Sequence, residues 1–114
     1  MATYAATESQ SIPSYETFAS IFSLEGLAGV FSGDFNQGIN AAIECCDRYA
    51  QPGRVALHWE GQDGRRATYT FEELRAQSAR FANYLVSQGV QPGDRVAGLL
   101  PRIPELLIVI LGAW

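Results

Sequence analysis

The sequence predicts an α/β fold, a β-hairpin followed by a βαβα unit, and three observations predict it. Val55, Leu57 and Trp59 alternate with Ala56, His58 and Glu60, the period of a half-buried strand. Further on, Phe71, Leu74, Phe81 and Leu85, with Ala82 and Val86 beside them, recur at the 3–4 spacing of one helix face. Val96 to Leu100 is then continuously apolar, as expected of a strand covered on both faces.

Taken in order, residues 1–13 are small, polar and without periodicity, and read as a flexible tail. Residues 14–114 read as one partial domain. Ser14 caps a short helix over Tyr15 to Phe22, with Phe18, Ile21 and Phe22 on one side. Leu24 to Gly33 carries Gly26, Gly29 and Gly33 among apolar residues and reads as a packed loop. It lacks the spacing of a phosphate-binding glycine pattern. Asn36 caps a helix expected over Gln37 to Ala50, ended by Gln51-Pro52-Gly53. Ile39, Ala42, Ile43, Cys46 and Tyr49 would share its face.

The hairpin comes next. Gly61-Gln62-Asp63-Gly64 is its loop, and Arg66 to Tyr69 returns as the partner strand. Thr70 then caps the long helix, and Glu73 three residues later completes a capping box. Gly89 suits the left-handed position after its last turn, with Val90 making the accompanying apolar contact. Gln91-Pro92-Gly93-Asp94 is a turn, and the Val96–Leu100 strand is expected to run in a parallel pair with a right-handed crossover. Pro104 and Glu105 suit the first turn of a final helix. Leu106 to Leu111 is apolar all round, so that helix expects to be wrapped by protein.

Composition narrows the function classes. An apolar content of 47% against 18% charged is that of a globular chain. The net charge of −4 argues against non-specific nucleic-acid binding. All 8 basic residues are arginines, so neither a catalytic lysine nor a phosphate-loop lysine is present in this sequence. The longest apolar run, Leu106 to Trp114, is far short of the roughly 18 residues of a membrane span. No basic region followed by an apolar stretch opens the chain, and a cytoplasmic location is expected.

The residues with chemical potential do not assemble into a constellation. His58 lies on the polar phase of its strand with no metal-ligand partner in spacing, and reads as a surface histidine. Cys45 and Cys46 are adjacent and poorly placed to bridge each other. Cys46 falls on an apolar helix face, where it acts as a small hydrophobe. Glu73 belongs to the capping box, and Glu72 can pair with Arg75. Arg65 and Arg66 flank a hairpin loop and read as solvated. Arg102, between Pro101 and Pro104 at the end of a strand, is the most interesting charge, since ligands gather at strand C-termini in open α/β sheets. Phe18, Phe22, Phe71 and Phe81 read as core. No catalytic, cofactor-binding or metal-binding residue is assigned.

The order of short signals from Tyr15 onward resembles the N-terminal segment of AMP-forming acyl-CoA synthetases. These belong to the adenylate-forming superfamily, with luciferases and peptide-synthetase adenylation domains. The matching residues are Phe35-Asn36, Cys46-Asp47-Arg48, Val55-Ala56-Leu57, Tyr69-Thr70-Phe71 with Leu74, Gly93-Asp94-Arg95-Val96, and Leu100-Pro101 with Pro104-Glu105. The stretch from Asn36 to Arg48 looks closest to the acetyl- and medium-chain branch.

The resemblance implies an incomplete N-terminal part of an adenylate-forming enzyme's large domain, from an acid–thiol ligase of fatty acid metabolism. That enzyme would use ATP, Mg2+ and coenzyme A to turn a carboxylic acid into an acyl-adenylate and then an acyl-CoA. The family's phosphate loop, adenine platform, ribose-binding aspartate and lid lysine have no match in residues 1–114, so the segment is expected to be inactive scaffold that binds none of these cofactors. Its partner would be the remainder of its own polypeptide, the chain stopping inside a buried helix. The alternative is a small non-catalytic α/β protein that associates with a partner or with itself through Leu106–Trp114.

Overall fold

The computed structural model describes residues 14–114; the tail expected over residues 1–13 lies outside them. The chain divides into two compact units, with the boundary between Ser32 and Gly33.

The first unit holds two short helices. Helix α1 (Tyr15–Ile21) begins where Thr17 N–H donates to Ser14 Oγ at 3.3 Å, the expected cap. Helix α2 (Leu24–Ala28) occupies part of the stretch read as a loop. Ser23 is the reason: its Oγ accepts from Gly26 N–H at 2.9 Å, and Glu25 sits in the favourable first turn. Phe18 and Phe22 touch, with ring centroids 5.7 Å apart, yet both are about half exposed within this unit, not the core residues expected.

The second unit carries the rest. The helix expected over Gln37 to Ala50 is shorter and starts later, as α3 (Ala41–Cys45). Local turn chemistry wins over the apolar pattern. Asp34 Oδ1 accepts from Asn36 N–H at 2.9 Å, and Gly38 takes a φ of +99°, a conformation that breaks a right-handed helix. Asn40 replaces Asn36 as the cap, accepting from Ile43 N–H at 3.0 Å. Cys46 then leaves helical geometry, and a single 3-10 turn, Asp47–Tyr49, follows.

The hairpin forms as expected from strands β1 (Val55–Glu60) and β2 (Arg66–Thr70), paired antiparallel from Glu60↔Arg66 to Leu57↔Tyr69. The register shifts between Val55 and Leu57. One extra residue flips the faces: Ala56 packs toward the core, while Val55, expected inside, is 44% exposed.

Helix α4 (Phe71–Ser87) carries both halves of its capping box. It ends on a complete Schellman motif, with Gly89 at φ +86°, Gly89 N–H bonded to Val86 O at 3.0 Å and Val90 N–H to Leu85 O at 3.1 Å. The turn at Gln91–Asp94 closes with Asp94 N–H on Gln91 O at 3.0 Å, and Gly93 takes φ +95°. Helix α5 (Glu105–Ala113) starts at Pro104 as read from the sequence and lies along α4.

The strand expected at Val96–Leu100 does not form. Among the described residues the sheet has two strands, β1 and β2, and they are antiparallel, so the run finds no partner to pair with in parallel. A strand is defined by its neighbour, and a correct apolar pattern cannot supply one. The core is correspondingly small. Cys46, Leu74 and Ile108 are buried at its centre, packed by Ala56, Tyr69, Phe71, Phe81 and Leu111.

Candidate functional site

Two places in the second unit gather polar side chains. The first is the junction of the hairpin with the loop before α5. Trp59 Nε1 donates to the main-chain oxygen of Arg102 at 2.9 Å. This bond pins the Pro101–Ile103 loop to β1, and the floor between them is an open groove of about 710 Å³ that Trp59, Arg65 and Arg102 help to line. Arg65 is held there by Asp63, whose carboxylate accepts from Arg65 N–H at 3.1 Å and pairs with its guanidinium. Those two bonds, the main-chain one first, hold the Asp63 carboxyl below its usual range. Arg65 also lies over the Trp59 ring, 6.0 Å from its centroid. Glu60 and Arg66 form a second surface pair. The groove thus sets two carboxylates against its arginines and has no strong charge of one sign.

The second place is the start of α3. Glu44 is 7% exposed, accepts from Gly33 N–H at 2.9 Å and pairs with Arg48 one turn later. The spacing of Glu44 and Arg48 was readable as a helical i,i+4 pair; the burial, and the reach back to Gly33, were not. Beside it, the Arg54 guanidinium lies 4.9 Å from the Tyr49 ring centroid and 5.4 Å from that of Phe71. Both arrangements fix main chain and rings in place and leave no reacting group presented to a ligand.

The remaining residues with chemical potential stay apart. His58 is on the exposed face of β1, its Nδ1 3.2 Å from Thr68 Oγ1. Cys45 is exposed and Cys46 buried, and both are free thiols. The Cys46 thiol donates to Phe71 O at 3.7 Å, and burial first, then the Asp47 charge, pushes its pKa up. Glu73 is spent in the capping box, as expected. Arg75 pairs with Asp47 at 3.7 Å instead of with Glu72, because Asp47 arrives from the 3-10 turn packed against α4.

The sequence contains no lysine, so any phosphate contact from these residues would fall to arginine, hydroxyl or main-chain N–H donors. Among the described residues, no three His, Cys, Asp or Glu side chains come together as a metal site would require. No reaction step is therefore assigned to these residues. Among the described residues, no helix is long and apolar enough to cross a membrane.

Comparison with known proteins gives the chain its context. It is 42% identical over 85 residues to an acetyl-coenzyme A synthetase of Streptomyces avermitilis, covering 71% of this chain and 13% of that protein. An acetyl-coenzyme A synthetase of Mycobacterium bovis is 46% identical over 77 residues, which are 64% of this chain and 12% of that protein. A solved acyl-CoA synthetase of Brucella canis superposes with a TM-score of 0.82 at 47% identity, over 88% of this chain and 18% of its own. The chain thus spans about an eighth of the length of these curated relatives. Residues 46–114, more than half of the chain, match the family described as AMP-binding enzyme, and the chain belongs to that family.

Proposed function

We propose that this segment is scaffold from the front of an AMP-forming acyl-CoA synthetase and has no activity by itself. The observation that carries the reading is the superposition on an acyl-CoA synthetase at 47% identity and a TM-score of 0.82, in which this segment is 18% of the larger chain. In the whole enzyme a carboxylate oxygen would attack the α-phosphorus of ATP, with Mg2+ neutralising the phosphates and pyrophosphate leaving. The thiol of coenzyme A would then attack the acyl carbonyl, lose its proton and expel AMP. Positioning and charge neutralisation supply most of such a rate enhancement. Those tasks belong to residues beyond this segment; Thr70, Glu73, Trp59 and Gly112 hold its own elements in place. A cytoplasmic location is part of the same reading.

The smaller alternative, an interaction protein using Leu106–Trp114, loses support from the packing. Helix α5 lies on α4 with Ile108 buried and Leu111 against the core, so much of that face is already covered. The test is ATP–pyrophosphate exchange over a panel of carboxylic acids, run on residues 1–114 and on the longest polypeptide from the same reading frame. Exchange by the long form alone is expected. Exchange by the 114-residue form would overturn the scaffold role, and exchange by neither would overturn the synthetase reading.

A further inference from the structure

We propose that Asp63–Gly64, in the turn between β1 and β2, is a self-modification site at which Asp63 converts to isoaspartate through a cyclic imide, and that Arg65 guards it.

The conversion has two requirements. An accessible carboxyl must reach the nitrogen of the following residue, and that residue must not shield its nitrogen. The Asp63 side chain is 53% exposed. Gly64 has no side chain, and a β-carbon built on it would meet nothing within 4 Å. Of the aspartates in the chain, Asp63 alone is followed by glycine; Asp34, Asp47 and Asp94 precede Phe35, Arg48 and Arg95. Asp47 also opens the 3-10 turn, and Asp94 Oδ2 is occupied by Gln91 N–H at 2.8 Å.

The atoms balance with water as the one co-reactant. The Gly64 nitrogen attacks Asp63 Cγ and forms a C–N bond, and the hydroxyl of the acid leaves as water with the amide proton. Water then enters at the Asp63 main-chain carbonyl and breaks the original peptide bond. Gly64 is left joined through Cγ. The main chain is one carbon longer, and a free α-carboxylate replaces the side chain. Water entering at Cγ instead restores aspartate.

The folded turn resists this chemistry. Gly64 N–H is bonded to Gly61 O at 2.9 Å, which engages the nucleophile. Both Asp63 oxygens face Arg65: Oδ1 accepts from its main-chain N–H at 3.1 Å, and Oδ2 pairs with its guanidinium. Glu60 and Arg66, at the base of the turn, pair with each other and leave Asp63 to Arg65. An ion pair keeps the carboxyl charged, and a carboxylate is a poorer electrophile than its neutral acid. Conversion therefore waits on local opening of an exposed turn, a cheaper event than opening the core.

The product no longer fits the hairpin. The turn is closed by Gly61 N–H on Arg65 O at 2.8 Å, next to the Glu60↔Arg66 pair, and an extra carbon between these residues works against both. Arg65 also loses the partner that holds it 6.0 Å from the Trp59 ring centroid. The modification thus alters the groove that Trp59, Arg65 and Arg102 line.

The test is prolonged incubation of the native chain at neutral pH. Peptides are then mapped with a protease that cleaves before aspartate and not before isoaspartate. Enzymatic methylation of the isoaspartyl carboxylate gives an independent count. Isoaspartate is expected at position 63, with Asp34, Asp47 and Asp94 as unchanged internal controls. Arg65→Gln should raise the rate about two- to fivefold, the range an exposed ion pair spans, and Arg65→Lys should restore most of the protection. Asp63→Glu, whose imide needs a larger ring, should remove the signal. Gly112→Ala, remote in α5, should leave the rate unchanged. Absence of isoaspartate at 63 under conditions where a peptide of residues 60–66 converts would overturn the proposal. So would equal conversion at the other aspartates. A rate insensitive to both Arg65 variants would remove the guard, and acceleration by Gly112→Ala would show that the reaction needs the whole unit to open.

Discussion

A β-carbon placed on Gly112 of α5 would lie 2.6 Å from the main-chain oxygen of Ser78 on α4. The two helices therefore meet backbone to backbone at this point. Ser78 is 6% exposed and meets its own need by donating Oγ–H to Arg75 O at 3.0 Å, so it can sit in an apolar crossing. Phe81 closes the other side, 3.0 Å from the same imagined carbon.

Gly112→Ala should destabilise the second unit. Alanine is the better helix former by about 1 kcal/mol. Here the added methyl meets main chain, which cannot swing away as a flexible side chain would, and overpacking typically costs about 1–3 kcal/mol. The clash should win. A lower urea midpoint with an unchanged slope is the expected result, and a raised midpoint would show that α5 slides without loss.

Thr70 and Glu73 hold the start of α4 by two reciprocal bonds, Glu73 N–H to Thr70 Oγ1 at 3.2 Å and Thr70 N–H to Glu73 Oε2 at 2.8 Å. Thr70→Ala should lose about 1 kcal/mol of stability. The Thr70 N–H first, and its hydroxyl second, hold the Glu73 carboxyl below its ordinary value of 4.5. A lowered folded pKa means stability that is present above 4.5 and lost as pH falls through the folded value. The stability gap between the natural protein and Glu73→Gln should therefore narrow in acid, as read from urea unfolding at a series of pH values. A gap that stays constant would remove Glu73 from the cap.

Trp59→Phe keeps most of the ring and deletes the donor that reaches Arg102 O. The exposed carbonyl can turn to water, so the loss should be modest, about 1 kcal/mol. Its location is more telling than its size. Amide exchange should rise at Leu106 and Leu107, whose N–H groups bond Ile103 O and Pro104 O in the first turn of α5, while β2 amides should stay protected. Faster exchange throughout the hairpin would mean that Trp59 acts through packing.

Local chemistry was legible where a residue and its partner lie within a few positions. The capping box at Thr70, the Schellman end at Gly89 and the hairpin turn at Gly61–Gly64 all read directly from the sequence. Competing local signals were harder: Asn36 and Asn40 are both good caps, and only the positive φ at Gly38 decides between them. The bulge at Ala56 has no signature in an alternating strand, yet it exchanges Val55 for Ala56 at the core. Long-range geometry was out of reach. Trp59 and Arg102 are 43 positions apart, and no periodicity links them. The charge of Arg102 is what stands out in the sequence, whereas its main-chain oxygen makes the contact.

The adjacent thiols give a last, sharper test. Cys45 is exposed, and Cys46 is 2% exposed with its pKa raised by burial and by the Asp47 charge. A raised pKa lowers the thiolate fraction at any given pH, and the thiolate is the species that alkylates. Iodoacetamide should therefore modify Cys45 first, with Cys46 slower by at least about tenfold. Because Cys46 is at the centre of the small core with Leu74 and Ile108, its modification requires that core to open. Its rate relative to Cys45 then reports the opening equilibrium of the Gly33–Trp114 unit. The difference should vanish in denaturant, and in Gly112→Ala it should shrink in step with the stability lost. Equal rates in the native chain would place Cys46 outside the core and undo the packing described around it.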